Sequence, residues 1–153
     1  MRLDHSWIAA HIPHQGAMCL LDEILEWSAT DISCRTATHR LANNPLRTLG
    51  HLEAVCAIEY AAQAIALHGA VNAAAPGVAS GMLASVRAVD LHADRLDDIA
   101  GDLIVRAARI GGDETALLYD FSVSSAQQLL AAGRATIVLR SAAATARNEG
   151  AVS

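Results

Sequence analysis

The sequence predicts an α+β protein in which a curved antiparallel sheet wraps one long apolar helix. Three observations carry this expectation. Residues 54–67 form an Ala-rich run whose only charge is Glu59, so it reads as a helix apolar on nearly every face, and such a helix is buried. Beyond Pro76 and Gly77 the pattern changes to period two, with Leu117, Tyr119, Phe121 and Val123 alternating on one face. Turn signals at Gly111–Gly112–Asp113 and Ser124–Ser125–Ala126 join these runs as hairpins. A helix apolar on so many sides cannot be satisfied by one flat contact, so the sheet must curve around it. That description is the hotdog fold.

The elements follow in order. Asp4 or Ser6 caps a short helix through Ala9 and Ala10, which Pro13 ends. A loop follows at Pro13–His14–Gln15–Gly16–Ala17–Met18, with Gly16 where the backbone needs freedom. Residues 20–27 are ambiguous between helix and strand. Residues 31–39 read as a strand, with Ile32 and Cys34 on one face and Asp31, Ser33 and Arg35 on the other. Asn43–Asn44–Pro45 marks a turn, and Gly50 precedes the long helix. Strands are expected from Gly81 to His92, from Leu103 onward, through Leu117 to Val123, and from Leu129 to Leu139. Residues 1–140 read as a single domain and residues 141–153 as a flexible C-terminal tail.

Composition narrows the function. Of 153 residues 53% are hydrophobic but only 3% aromatic, so the core is built from Ala, Leu, Val and Ile. The net charge of −5 and the absence of a basic stripe argue against nucleic-acid binding. Cys19, Cys34 and Cys56 form no paired motif, which fits free thiols in a reducing compartment and no structural zinc. The polar start, Met1 to Ser6, offers no signal peptide, and the 54–67 run is too short and too polar for a membrane span. The chain reads as cytoplasmic.

Glu59 is the leading candidate for chemistry. A carboxylate in an apolar helix is costly unless paired, protonated or employed. It is either a structural acid, bonded in the core or across a subunit interface, or a catalytic acid at the base of a pocket. Gln63, four residues on, shares its face and reads as its partner. His14 either braces the turn after Pro13 or acts in catalysis. His51 is either catalytic or an exposed neighbour of the helix start. Cys56 reads as a small core residue and Asp22 as a strand-end bond maker. His5, His11, His39, His68 and His92 carry no motif.

Two segments resemble a known family. Ile12–Pro13–His14–Gln15–Gly16–Ala17–Met18–Cys19–Leu20–Leu21–Asp22 is similar to the opening of the 3-hydroxyacyl-acyl-carrier-protein dehydratases of type II fatty-acid synthesis. Ala57–Ile58–Glu59–Tyr60–Ala61–Ala62–Gln63–Ala64 resembles their helix motif, and Gly81–Met82–Leu83 the strand that follows. The resemblance is closer to the divergent branch associated with aryl polyene pigment clusters, and it spans roughly residues 10–140. One departure stands out. The fatty-acid enzymes place a Pro- and Gly-rich stretch after Gly-His-Phe-Pro, whereas here Gly50–His51–Leu52 runs straight into Glu53–Ala54.

The resemblance implies dehydration of a 3-hydroxyacyl thioester held on acyl carrier protein, without metal or other cofactor. It implies catalytic roles for Glu59 as acid and for His14 or His51 as base, with Gly16, Met18, Leu52, Cys56 and Gln63 contacting substrate. Backbone N–H groups between Leu52 and Val55 are candidates to hold the thioester oxygen. His51 and Glu59 lie eight positions apart, about 12 Å along the axis if both are helical. They could not share a small substrate within one chain. In the family the histidine and glutamate come from different subunits, so a homodimer or higher homo-oligomer is expected. An acidic carrier protein calls for a basic docking patch, with Arg40, Arg47, Arg87 and Arg95 as candidates. Two alternatives stay open: a thioesterase in which Glu59 activates water, and a non-catalytic acyl-binding partner of an active hotdog protein.

Overall fold

The computed structural model describes residues 3–73 and 80–140. The expected turn at Pro76–Gly77 and the expected tail at 141–153 lie outside them. The chain begins with β1 (Leu3–Asp4), α1 (His5–His11), β2 (Glu23–Trp27) and β3 (Asp31–Thr36). The long helix α2 (Ala57–Val71) follows, then β4 (Ser80–Leu91), β5 (Leu103–Gly112), β6 (Ala116–Ser125) and β7 (Gln128–Arg140). The strands form one seven-stranded sheet in the order β1-β2-β3-β5-β6-β7-β4, antiparallel at every pairing. This is the hotdog architecture the pattern predicts. The ambiguous 20–27 segment resolves to a strand from Glu23, and the two-residue β1 has no signal in the sequence.

Local chemistry explains the boundaries. Asp4 caps α1 by accepting the Trp7 N–H, and Ile12, before Pro13, ends it. The 31–39 strand stops at Thr36, because Thr38 to Arg40 turn into a short 3-10 segment. Between β5 and β6, Asp113 accepts from Thr115 and Ala116 N–H groups. Gly112 there has φ +132°, and a Cβ would stand 2.5 Å from the Ala116 carbonyl oxygen. The β6–β7 turn falls at Ala126 and Gln127, both at positive φ (50° and 67°), between the paired Ser125 and Gln128.

The sheet's inner face supplies Val105, Ala107, Tyr119, Phe121, Val123, Ala131, Ala135 and Ile137 to the core. Against it α2 buries Ala57, Tyr60, Ala61, Gln63, Ala64, Ile65, Leu67 and His68. The alanines bring helix and sheet backbones close, which is how a core with few aromatics fills its volume. Ile58, Ala62 and Ile65 also close against Leu83 and Val86 of β4. The helix is not buried all round, however. Val55, Glu59, Ala66 and Gly69 form an exposed stripe along one side. The helical stretch runs on to Val71, so Ala54–Val71 is long and apolar enough to cross a membrane by length and composition, which corrects the expectation from 54–67; half of it is buried inside this protein.

His68, given no role by the sequence, closes the far end of α2. The Ser28 carbonyl can only accept, so His68 Nε2 carries the proton at 3.0 Å, and the Tyr119 hydroxyl donates to Nδ1 at 2.6 Å. Burial, with Arg109 adding to it, holds the ring's pKa below its ordinary value. His39 is lowered by the same first cause, burial.

Two predictions follow from these details. The unfolded chain takes up protons at these histidines below about pH 6.5 while the native chain does not, so stability is full above that pH and falls as pH drops toward the folded pKa values. Thermal midpoints should therefore decline from pH 7.5 to 5.5, and His68→Gln should flatten part of that slope. At the β6–β7 turn, Gln127→Gly relieves a left-handed side chain and should stabilise by about 1 kcal/mol in urea unfolding.

Candidate active site

The site is built on α2, and its geometry begins with two polar residues turned inward. Gln63 is fully buried, with both ends of its amide engaged. Its Oε1 accepts the Leu20 N–H at 2.9 Å, and its Nε2 donates to the Met18 carbonyl at 2.7 Å. One turn earlier, the equally buried Tyr60 hydroxyl meets Thr38 Oγ1 at 2.8 Å and Asn44 Nδ2 at 3.0 Å. Thr36 and Thr38 hydroxyls both donate to the Leu20 carbonyl, at 2.6 and 2.7 Å. Asp22 accepts the Ala37 N–H at 2.7 Å, the strand-end role expected of it. Two loops, around residues 14–22 and 36–46, are thereby bound to each other and to α2. Burial pushes the Tyr60 pKa up, with the Thr38 and Asn44 bonds opposing it.

Glu59 points the other way. It lies in the first turn of α2, on the exposed stripe, and makes no hydrogen bond or ion pair among the described residues. This corrects the expectation of an acid buried within the chain. The Ala-rich run is apolar all round in composition, yet the sheet covers only part of it. Gln63 is not its partner either: four residues along the helix bring the two near each other, but the Gln63 amide is committed to the loop.

The His14 ring is partly buried, and its Nδ1 lies inside without a partner among the described residues. Buried polar atoms left unpaired are uncommon and call for an explanation. His14 belongs to the loop that Gln63 ties to α2, and Gly16 on that loop has φ +57°, the freedom its sequence position indicated. Met18, partly exposed, and Gly16 line the loop's outer side.

His51 is exposed at the end of a two-residue turn in which Thr48 and His51 exchange backbone hydrogen bonds of 2.8 and 3.0 Å. Leu49 at the tip has φ +53° and is 96% exposed. His51 and Glu59 are not on one helix: Glu53 is extended, Ala54–Cys56 is 3-10, and α2 starts at Ala57. The 12 Å helical spacing therefore does not apply. Leu52 is fully buried, with its N–H on Asp97 Oδ1 at 2.8 Å, and the Ala54 N–H is taken by the Asp94 carbonyl at 3.1 Å. Those two amides are thus not free to hold a substrate oxygen. Cys56, partly exposed at the start of α2, has its thiol pKa raised by burial and then by Glu53 and Glu59, the opposite of an activated nucleophile.

Most of the candidate docking arginines are already engaged. Arg40 bonds Asp102 and the Ala100 carbonyl. Arg47 bonds the Leu41, Gly50 and His39 carbonyls. Arg95 holds Asp97, whose carboxyl it keeps well below the usual range. Arg87, exposed on β4, makes no ion pair among the described residues. No group of three potential metal ligands occurs among the described residues.

A seven-stranded antiparallel sheet wrapped on one long helix defines a hotdog-fold protein. The chain belongs to the ApeP-like family, described as ApeP dehydratase, whose pattern matches residues 6–147. Among solved structures it is similar to the dehydratase heterocomplex ApeI:P from Xenorhabdus doucetiae, at 22% identity over 92% of this chain and 95% of that one, with a TM-score of 0.75. A putative thioesterase from Silicibacter sp. aligns at 15% identity over 90% and 92% of the two chains, TM-score 0.64. A thioesterase from Haemophilus influenzae aligns at 13% identity over 78% of each, TM-score 0.59. At these identities the likeness is one of fold. No curated protein matches by sequence.

Removing the Tyr60 hydroxyl leaves Asn44 with its bond to the Thr38 carbonyl but takes one partner from the loop network. Tyr60→Phe should cost about 1–2 kcal/mol in denaturant unfolding, with retained secondary structure by circular dichroism.

Proposed function

We propose that the chain is a subunit of a cytoplasmic dehydratase acting on 3-hydroxyacyl thioesters carried by acyl carrier protein. The observation that carries this reading is Glu59: the acid of α2 is left open on the helix face the sheet does not cover, while its polar neighbours Tyr60 and Gln63 are consumed in the core. A structural acid bonded in the core of its own chain would have a partner there, and Glu59 has none among the described residues. His14, with a buried ring nitrogen that has no partner among the described residues, supports the same reading.

In the reaction, a histidine takes the C2 proton, the C2–C3 double bond forms, and the C3–O bond breaks. Glu59 gives its proton to the departing hydroxyl, which leaves as water. His14 is the first candidate for the base and His51 the second. In this reading Gly16, Met18, Cys56 and Leu52 border the acyl chain. A second chain over the open stripe of α2 would take Glu59 out of water and favour its protonated form. A homodimer or larger homo-oligomer is the simplest source of that cover.

The second reading is a partner subunit in a mixed assembly. The similar Xenorhabdus doucetiae structure is a heterocomplex, and the passage from His51 into α2 is short here. One experiment separates the readings: purified protein with a 3-hydroxyacyl-carrier protein, the tethered chain followed by mass. Wild type should lose one water. Glu59→Gln and the variant of the true base, His14→Ala or His51→Ala, should slow the loss by about 10²–10⁴-fold. A free acid product would mean a thioesterase. No mass change alone, but water loss with a second hotdog protein added, would establish the partner subunit.

A further inference from the structure

Gln63 is one of the most completely used polar side chains in the protein, and what it holds is a loop rather than a neighbour on its helix. The amide closes on Met18 and Leu20 from opposite sides, one accepting bond and one donating bond to a stretch three residues long. Gly16 to Met18 form a tight 3-10 turn, and the Met18 N–H returns to the Gln15 carbonyl at 3.2 Å. Between the amide and His14 there are only Gln15 and this turn. The His14 ring nitrogen, buried and without a partner among the described residues, is therefore carried on a segment whose far end is fixed to α2 one turn beyond Glu59.

We propose that Gln63 is a positioning residue: its amide fixes the 14–20 loop to α2 and thereby sets where the His14 ring stands relative to Glu59 and the substrate. It does so without touching substrate, since it is wholly buried with both amide ends occupied. This rests on the dehydratase reading with His14 as base. The geometry itself, and one of the two readouts below, does not depend on turnover.

The choice of amide matters. A carboxylate of the same shape can accept from Leu20 N–H but repels the Met18 carbonyl. A protonated carboxyl can do both jobs, accepting with one oxygen and donating with the other. Gln63→Glu therefore makes the clamp conditional on pH, with the acid form favoured because the site is buried and faces a carbonyl. Gln63→Ala removes it at every pH.

The test uses the full chain, wild type and both variants, in two readouts. The first is steady-state turnover across pH. Gln63→Ala should lower kcat by about 10–100-fold, the scale of a misplaced catalytic group, with KM changed much less. For Gln63→Glu, the ratio of its kcat to that of wild type should rise as pH falls. The second is the His14 ring resonance, identified by its loss in His14→Ala. It should shift in Gln63→Ala, and in Gln63→Glu it should return toward the wild-type position on acidification, whether or not the protein turns substrate over. Thermal unfolding at each pH separates misplacement from loss of fold. The proposal is overturned if both variants keep wild-type kcat and an unmoved His14 resonance, or if any change tracks unfolding alone. Wild type that turns nothing over alone, with the resonance moving as described, would sink the stand-alone dehydratase reading and leave the positioning role standing.

Discussion

The interaction on which the rest of this structure depends is the pair of polar side chains that α2 drives into the core. Tyr60 and Gln63 lie three residues apart on the helix face toward the interior, where an unmet hydrogen bond costs about 1–3 kcal/mol. Each is met by a loop: Tyr60 by Thr38 and Asn44, Gln63 by Met18 and Leu20. The loops are then joined to each other through the Leu20 carbonyl and the threonine hydroxyls. Buried networks of this kind are stable only when complete, so the helix, the His14 loop and the 36–46 loop form one cooperative unit.

That unit explains why Glu59 has no partner among the described residues. The inward side of α2 is occupied by the sheet and by the two loops, and the open stripe with Val55, Glu59, Ala66 and Gly69 is what remains. An acid there has no hydrogen-bond or ion-pair partner among the described residues. At the other end the helix is closed by His68, held between Ser28 and Tyr119. The polar core residues thus fix α2, and Glu59 lies on its uncovered side.

Charge is arranged with the same economy. Asp97 receives the Leu52 N–H and the Arg95 guanidinium, and Asp102 receives Arg35 and Arg40. These pairs brace the segments that enter α2 and β5. Arginines that look from the sequence like docking residues are therefore part of the scaffold, and Arg87 on β4 stands apart from them.

The sequence by itself determined the architecture. The Ala-rich run with one acid, the alternation after residue 80 and turn signals one to two residues ahead of the actual turns specified a helix and a sheet that curves about it. Each of these is a local period that survives in any environment. Asp4 as a cap, Pro13 as a stop and Gly16 as a flexible point were legible for the same reason. The direction Glu59 faces was not, because a helix apolar on every side carries too weak a moment to say which stripe the sheet leaves open. Nor could the sequence say that Gln63 reaches to Leu20, 43 residues away, rather than to its helix neighbour. Only tertiary structure decides this, since a buried amide takes whichever partners the packed chain brings to it.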